Sequence, residues 1–251
     1  MRMKALAAAC AAAVVALGGA AAIGAAKLPA NIAAALADKG RPAADVQRDA
    51  ARHPGELLAW AGVRPGMKVA DFIMGGGYFT RILARAVGPA GHVWAFQPTE
   101  FIKFRAAYAD EQKAAAAPYA DVTPLTGPLV GLKLPEGLDL VLTVQNYHDM
   151  HLKAFPPETA AKADAEIFRA LKPGGAFIVV DHVGPPDADT PDKLHRIDPA
   201  IIRKEVEATG FRFAGESYLL RNPQDPHDKL VFDPSIRGKT DQVAFKFVKP
   251  R

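Results

Sequence analysis

The sequence predicts an α/β fold built on a mostly parallel β-sheet. Short apolar segments alternate with helical segments of about 10–15 residues, which is typical of parallel strands joined by helices. No helix separates the last two apolar segments, so these two strands are expected to pair antiparallel. Hydrophobic residues make up 49% of the 251 residues and charged residues 23%. This ordinary globular composition excludes disordered, collagen-like and coiled-coil proteins.

The predicted elements follow from local patterns along the chain. Seven strands are predicted, at residues 67–73, 92–97, 121–126, 138–144, 175–180, 211–220 and 242–248. Helices are predicted at residues 45–52, 54–61, 78–87, 99–117, 157–171 and 199–209. In the third of these helices, Phe79, Leu83 and Val87 recur every four residues and form one apolar face. Pro54 and Pro199 suit the first turns of their helices, where a missing N–H costs nothing.

Residues 1–26 differ from the rest of the chain. Arg2 and Lys4 precede an uncharged segment of small and apolar residues. This order is typical of a secretory signal peptide, with cleavage expected before Lys27 or among residues 20–22. The segment is also long enough to remain as a membrane anchor. In both cases we expect a periplasmic or exported protein, in the second case tethered to the inner membrane.

The remaining residues, 27–251, are predicted to form one domain. It comprises a helical lead-in at residues 27–66 and a long loop at residues 221–241 that is expected to cover the site. The only cysteine, Cys10, lies outside this domain, which excludes an intrachain disulfide and a multi-cysteine zinc site. The net charge of +4 is spread along the chain without a basic run. We therefore expect a small-molecule partner rather than a nucleic acid.

The most informative segment joins the first predicted strand to the helix at residues 78–87. Asp71 lies at the end of the strand, and Gly75, Gly76 and Gly77 follow it. Glycines let the backbone turn tightly and approach a ligand closely, and the helix start offers free N–H groups. A glycine-rich turn alone is a weak motif, because many loops contain glycine.

Together with later segments, this turn resembles the class I S-adenosylmethionine (SAM)-dependent methyltransferases. Residues 71–77 look like the first motif of that family, residues 138–142 like its fourth strand and residues 169–181 like the approach to its fifth strand. The resemblance covers roughly residues 45–251. It implies a Rossmann-like three-layer sandwich, a mostly parallel seven-stranded sheet with an antiparallel edge strand, and SAM as the cofactor. The implied cofactor-binding residues are Asp71, Gly75, Gly76, Gly77 and Gln97.

Within this superfamily, the chain is similar to a family of exported bacterial proteins described as methyltransferases. The similarity lies in the first segment and in residues 75–78, 146–149 and 240–242. The resemblance therefore implies a SAM-dependent methyltransferase that acts on an unidentified small acceptor.

Two positions depart from the family pattern. Ile73 replaces the usual first glycine, and Gln97 replaces an acidic residue that accepts hydrogen bonds from both ribose hydroxyls of SAM. A carboxamide has one acceptor oxygen, so weaker ribose binding is expected unless Glu100, one helical turn later, compensates. Export to a compartment with little SAM adds to these departures. The alternative is a methyltransferase fold that has lost SAM use and binds another ligand or a metal in the periplasm.

Consecutive polar residues follow the fourth predicted strand, at the strand end where ligands bind in such sheets. They are Asn146, Tyr147, His148 and Asp149. We interpret His148 as a general base that Asp149 or Asn146 orients. Tyr147 is interpreted as a group that stacks on a ligand or hydrogen-bonds to it. The structural alternative is that Asn146 and Asp149 cap the following turn.

Two more residues are candidates for substrate binding. His182 ends the fifth predicted strand, and Arg196 has the charge to bind an anionic group. The structural alternative for Arg196 is an ion pair with Asp198, itself a good N-cap before a proline. Four histidines raise a metal hypothesis, but their spacing is not diagnostic and no metal ligand is assigned. These histidines are His148, His151, His182 and His195.

Overall fold

The computed structural model of the chain describes residues 27–251. The predicted signal peptide or anchor, including Cys10, lies outside the described residues. The strands are β1 (Lys68–Phe72), β2 (His92–Pro98), β3 (Val122–Gly127), β4 (Leu138–Val144), β5 (Leu171–His182), β6 (Arg212–Ser217) and β7 (Gln242–Val248).

Ten α-helices surround these strands in the described part of the chain. They are α1 (Ala30–Leu36), α2 (Ala43–Val46), α3 (Asp49–Arg52), α4 (Pro54–Ala61), α5 (Tyr78–Val87), α6 (Thr99–Phe104), α7 (Ala107–Ala116), α8 (Thr159–Ala170), α9 (Thr190–Leu194) and α10 (Pro199–Ala208). Two short 3-10 helices span His148–His151 and Tyr218–Leu220. Between residues 27 and 251, no helix is both long enough and apolar enough to cross a membrane.

The seven strands form one sheet in the order β3-β2-β1-β4-β5-β7-β6. Strands β1 to β5 pair in parallel, and β7 pairs antiparallel with both β5 and β6. The predicted mostly parallel sheet with antiparallel pairing at one end is confirmed. Because β1 lies between β2 and β4, the chain order reverses there, and the carboxyl ends of these strands form a crevice suited to a ligand.

Two hydrophobic clusters lie on opposite faces of the sheet. Within β4, Leu140 and Leu142 belong to one cluster, while Val141 between them belongs to the other. This alternation follows from the two-residue period of a strand. Burial on both faces explains why β4 is almost wholly apolar. The Rossmann-like three-layer arrangement is confirmed.

Some boundaries differ from the predicted ones. The helix predicted at residues 99–117 is divided into α6 and α7, because Arg105 has an extended backbone (φ −140°, ψ 98°). The helix predicted at residues 45–52 is likewise divided into α2 and α3. Strand β5 is longer than predicted, since Leu171 pairs with β4 and His182 pairs with β7. Long-range pairing of this kind leaves no local pattern in the sequence.

The lead-in helices are tied to α5 by polar side chains. Asn31 Nδ2 donates to the carbonyl of Ala86 at 3.0 Å. The Tyr78 hydroxyl, at the start of α5, donates to Asp49 Oδ1 at 2.6 Å, and Arg41 donates to both oxygens of the same carboxylate. The lead-in therefore lies beside the glycine turn.

Candidate functional site

The turn between β1 and α5 has a backbone that glycine adopts without strain. Gly75 has φ +55° and Gly77 has φ +78°, both in the left-handed region. A Cβ on Gly77 would lie 2.4 Å from the Cβ of Ala115 in α7, so helix packing also requires glycine there. A Cβ on Gly75 would meet no atom within 4 Å. The turn thus combines open space above its backbone with the amino-terminal N–H groups of α5.

Ile73 preserves the path of this turn although it replaces a glycine. Its φ of +60° is unusual for a β-branched residue. Such strain costs about 1–3 kcal/mol, which burial of the side chain beside Phe72 and Tyr147 offsets. The first departure from the family motif therefore leaves the backbone geometry intact.

Asp71 is buried near the end of β1 and accepts a hydrogen bond from Thr80 Oγ1 at 2.6 Å. Burial raises the pKa of Asp71 to about 6, although the bond from Thr80 opposes this shift. The observed contact joins β1 to α5. A direct contact between Asp71 and a cofactor stays a prediction.

Gln97 on β2 has the clearest unmet hydrogen-bonding capacity at this edge. Its side chain is fully buried, yet neither Nε2 nor Oε1 has a partner among the described residues. A buried amide without partners costs about 1–3 kcal/mol. The neighbouring carbonyl of Phe96 accepts from the backbone N–H of Met74, so Gln97 lies next to the glycine turn. A carboxamide offers both donor hydrogens and an acceptor oxygen, and at Gln97 neither has a partner among the described residues.

Glu100 was the residue that could compensate for the missing acidic residue at position 97, but its carboxylate is bound elsewhere. Its two carboxylate oxygens lie 3.1 and 3.3 Å from the backbone nitrogen of Leu129, which donates to them. The carboxylate also accepts from Thr99 Oγ1 at 3.2 Å. Glu100 therefore holds the segment after β3, and its carboxylate is already engaged by these two donors.

Four acid–base side chains converge at the carboxyl ends of β4 and β5. His148 Nδ1 lies 2.8 Å from Asp181 Oδ1. His148 Nε2 lies 3.3 Å from both Asp149 Oδ1 and His195 Nδ1, and the last two atoms are 3.6 Å apart. We call His148, Asp149 and His195 the His–Asp–His cluster. Asp181 also accepts from the backbone N–H groups of His148 and His182, both at 2.7 Å.

The charge state of His148 bears on its predicted role as a general base. Burial disfavours the charged ring, but the carboxylates of Asp181 and Asp149 outweigh burial and raise the pKa of His148 to about 10. The pKa of Asp149 is lowered to about 2, because the charge of His148 outweighs burial there. In this arrangement the neighbouring carboxylates favour the protonated ring of His148, and its role as a general base stays a prediction.

The more accessible members of the cluster are His195 and Asp149, whose side chains are 29% and 13% exposed. His195 has a left-handed backbone (φ +51°), as does Gln145 directly after β4 (φ +64°). With Ile73, three strained non-glycine residues thus lie at this edge. Strain of this kind is typical of binding and catalytic sites.

Tyr147 points away from the crevice, which leaves its predicted ligand contact without support. The side chain is fully buried, and its hydroxyl oxygen lies 2.8 Å from Asp164 Oδ2 and 3.1 Å from Glu205 Oε2, so its single hydrogen is shared between these two acceptors. Residues 147 and 148 therefore face opposite ways. The sequence alone does not show these directions, because the 3-10 helix determines whether Tyr147 or His148 faces the crevice.

The burial of Asp164 should make the stability of the protein depend on pH. Burial raises its pKa to about 8, with the charge of Glu205 adding to burial and the bond from Tyr147 opposing it. The unfolded carboxyl ionises near pH 4. Between about pH 4 and pH 8 unfolding therefore releases a proton, and stability falls as the pH rises. In Asp164→Asn, we expect the free energy of unfolding to fall less steeply with pH, by roughly 1 kcal/mol per pH unit.

Urea denaturation between pH 5 and pH 8 measures the effect. Tyr147→Phe is the control, because it keeps the carboxyl group and should retain the wild-type pH dependence. An Asp164→Asn variant with the wild-type slope would show that Asp164 is ionised in the folded protein.

Asn146 and His182 have structural contacts at the same edge. Asn146 Nδ2 donates to the carbonyls of Ile73 and Val144, at 2.9 and 2.8 Å, and so joins the glycine turn to the end of β4. His182 Nδ1 lies 2.7 Å from Thr240 Oγ1. Burial lowers the pKa of His182 to about 3, so the ring is neutral at physiological pH.

Arg196 is fully buried and binds the loop at residues 221–241 rather than the crevice. It donates to Asp225, to the carbonyl of Lys229 and to the carbonyl of Val183. Its predicted contact with substrate is therefore without support. The alternative pair with Asp198 is also absent, since Asp198 caps α10 by accepting from the N–H of Ala200 at 2.9 Å.

Arg52 had no role in the sequence prediction, which considered His195 and Asp181 only as ligands in the metal hypothesis. Asp181 ends a strand, which was a usable signal, but the positions of His195 and Arg52 depend on long-range packing. The Arg52 guanidinium lies 4.7 Å from the ring centroid of Tyr78 and donates to Gln145 Oε1. The exposed ring of Phe232, in the long loop, packs against His195 with 5.1 Å between centroids.

A separate cavity of about 320 Å³ opens beside α9 and α10. Its lining includes His151, Asp187, Asp198, Lys204 and Glu205. None of the predicted cofactor-binding residues lines it, so we do not assign the cofactor to this cavity.

Comparison with known proteins places this geometry in context. No family model matches the chain. The ubiquinone/menaquinone biosynthesis C-methyltransferase UbiE of Burkholderia vietnamiensis is 31% identical over 129 residues, which are 49% of this chain and 46% of that protein. The chain thus spans about half the length of the curated relatives it matches.

Solved structures extend the similarity over most of the domain. A SAM-dependent methyltransferase from Aquifex aeolicus has a TM-score of 0.54 at 20% identity, over 78% of this chain and 88% of that one. The chain has the SAM-dependent methyltransferase fold. A Bordetella parapertussis protein described as a possible exported protein has a TM-score of 0.51 at 18% identity, over 82% of this chain and 68% of that one. In this methyltransferase fold, the glycine turn follows β1 and the His–Asp–His cluster follows β4.

Proposed function

We propose that this protein binds SAM and transfers its methyl group to a small acceptor. The observation that carries the proposal is the buried, unpartnered carboxamide of Gln97, which follows the residue whose carbonyl binds Met74 at the start of the glycine turn. The cofactor supplies an electrophilic methyl group on a sulfonium. The residues proposed to hold it are Asp71, Gly75, Gly76, Gly77 and Gln97.

In this proposal, the acceptor lies at the ends of β4 and β5. The side chain of His195 is partly exposed there and that of Asp149 lies beside it, so these are the side chains proposed to contact the acceptor. His148 is held between Asp181 and these two residues, and thereby positions them. Asn146 fixes the position of the segment after β4 relative to the glycine turn, because it donates to the carbonyl of Ile73. Such positioning lowers the barrier by holding the nucleophile near the methyl group.

Two further parts of the proposal concern the acceptor and the location of the protein. The UbiE relative is named for carbon methylation in quinone biosynthesis, but the match covers half of each chain. The acceptor is therefore given only as a small molecule. Export, with either cleavage or an inner-membrane tether, is proposed from the composition of residues 1–26.

Calorimetric titration with SAM tests the cofactor proposal through Gln97. We expect the folded wild-type chain to bind SAM and Gln97→Leu to bind it roughly 10-fold more weakly, because ribose hydrogen bonds are lost. The same variant should gain about 1 kcal/mol of stability without cofactor, since an unpaired buried amide is removed. Gln97→Asp should bind SAM more tightly, because a carboxylate accepts from both hydroxyls.

Gln112 provides a matched control for this experiment. It is also buried, but its amide donates to the carbonyls of Ala95 and Leu125 and accepts from Thr126. Gln112→Leu should therefore lose stability. No heat from a folded wild-type chain at millimolar SAM would contradict the methyltransferase proposal and favour the alternative fold without SAM use. Equal affinity of wild type and Gln97→Leu would remove Gln97 from the cofactor site.

A further inference from the structure

The His–Asp–His cluster has the spacing of a metal site. The three pairs of atoms among His148 Nε2, Asp149 Oδ1 and His195 Nδ1 are 3.3, 3.3 and 3.6 Å apart. A tetrahedral ion with ligands at about 2.0–2.1 Å holds them about 3.3–3.4 Å from one another. The three atoms therefore already form one face of a coordination tetrahedron. We propose that this cluster binds a divalent transition-metal ion such as Zn²⁺.

The donor types agree with this spacing. Two imidazole nitrogens and one carboxylate oxygen form the ligand set of many catalytic zinc sites and of non-haem iron sites. The three ligating atoms lie within 4.8 Å of one another. Metal binding displaces the hydrogens that lie between these atoms in the metal-free protein.

A second layer of contacts orients the first histidine. His148 uses Nδ1 to donate to Asp181 at 2.8 Å, which leaves Nε2 directed at the other two ligands. Asp181 is itself held by the backbone N–H groups of His148 and His182. A carboxylate behind a ligating histidine is the usual support of a metal site.

The third ligand comes from a distant part of the chain. His195 follows α9 in a left-handed conformation, φ +51°, and Phe232 packs against its ring. His195 is partly exposed, while His148 and Asp149 are buried. The three side chains would thus bind the ion on one face, and its fourth coordination position would be open to water or an acceptor oxygen. An acceptor oxygen bound there would lose its proton more easily; this last step rests on the proposed function.

The test uses the full chain without an affinity tag, in a Cys10→Ser background that removes the only thiol. After dialysis against Zn²⁺, we expect one zinc ion per wild-type chain. His195→Ala and Asp149→Asn should each weaken zinc binding at least 10-fold, and Asp181→Asn roughly 10–100-fold. The matched control is His53→Ala, because His53 also has a positive φ (+43°) and a partly exposed side chain. It should bind zinc as the wild type does.

Co²⁺ gives an independent spectroscopic signal. The intense visible absorption of tetrahedral Co²⁺ should arise in the wild-type chain and disappear in His195→Ala. Absence of zinc from a folded wild-type chain, or equal zinc in wild type and His195→Ala, would overturn the metal site. SAM titration of the zinc-free chain keeps the two proposals distinguishable, because SAM binding without zinc binding rejects only the metal site.

Discussion

Replacing Arg196 with alanine is expected to lower the free energy of unfolding by about 3–5 kcal/mol. Arg196 and Asp225 form an ion pair in which both side chains are fully buried, with 2.7 Å between Nη1 and Oδ2. Removing the guanidinium leaves the carboxylate buried without its partner. It also leaves the carbonyls of Val183 and Lys229 without a donor. The cost is large because a buried charge is strongly destabilising once it is unpaired.

Urea denaturation measures this loss, and limited proteolysis locates it. Asp225 and Lys229 lie in the loop at residues 221–241, so this loop should be cleaved faster in Arg196→Ala. The double variant Arg196→Met/Asp225→Leu should lose less stability than the single one, because no charge stays buried. Lys193→Ala, which breaks an exposed ion pair with Asp189, should leave the midpoint unchanged. A loss below about 1 kcal/mol in Arg196→Ala would show that the loop is anchored elsewhere.

Alanine at position 77 should destabilise the fold by about 2–4 kcal/mol, whereas alanine at position 75 should cost about 1 kcal/mol. Both glycines have positive φ, so both substitutions strain the backbone. Only at Gly77 does the new Cβ also collide with a neighbour, the Cβ of Ala115 at 2.4 Å. Because that atom belongs to a packed helix, α5 and α7 must separate.

SAM titration should distinguish the two alanine variants by affinity, and here the larger effect is expected at position 75. The Cβ of Gly75→Ala enters the open space above the turn, where the cofactor is proposed to lie. This variant should therefore stay folded and bind SAM at least about 10-fold more weakly. Equal stability losses at the two positions would contradict the close contact between α5 and α7. Wild-type SAM affinity in Gly75→Ala would place the cofactor elsewhere.

The segment after β4 shows where local sequence patterns stop being informative. The polar residues after β4 indicated the edge of the sheet where the cluster lies. They did not show that Tyr147 enters the core while His148 meets His195. The pairing of His148 with Asp181, which changes its proton affinity, joins residues 33 apart in the chain. Arg196 likewise carries the charge expected of an anion-binding group, but its partner is a loop residue.

The class of fold, the glycine turn and most strands could be predicted from the sequence alone. These features depend on apolar periodicity and on glycine, which act over a few neighbouring residues. Strand β4 and helix α5, for example, have the predicted bounds. Tertiary structure decided the division of α6 from α7, the unpartnered burial of Gln97 and the assembly of the His–Asp–His cluster. Each of these depends on which distant segments come into contact, and contacts of that kind have no local signature in the sequence.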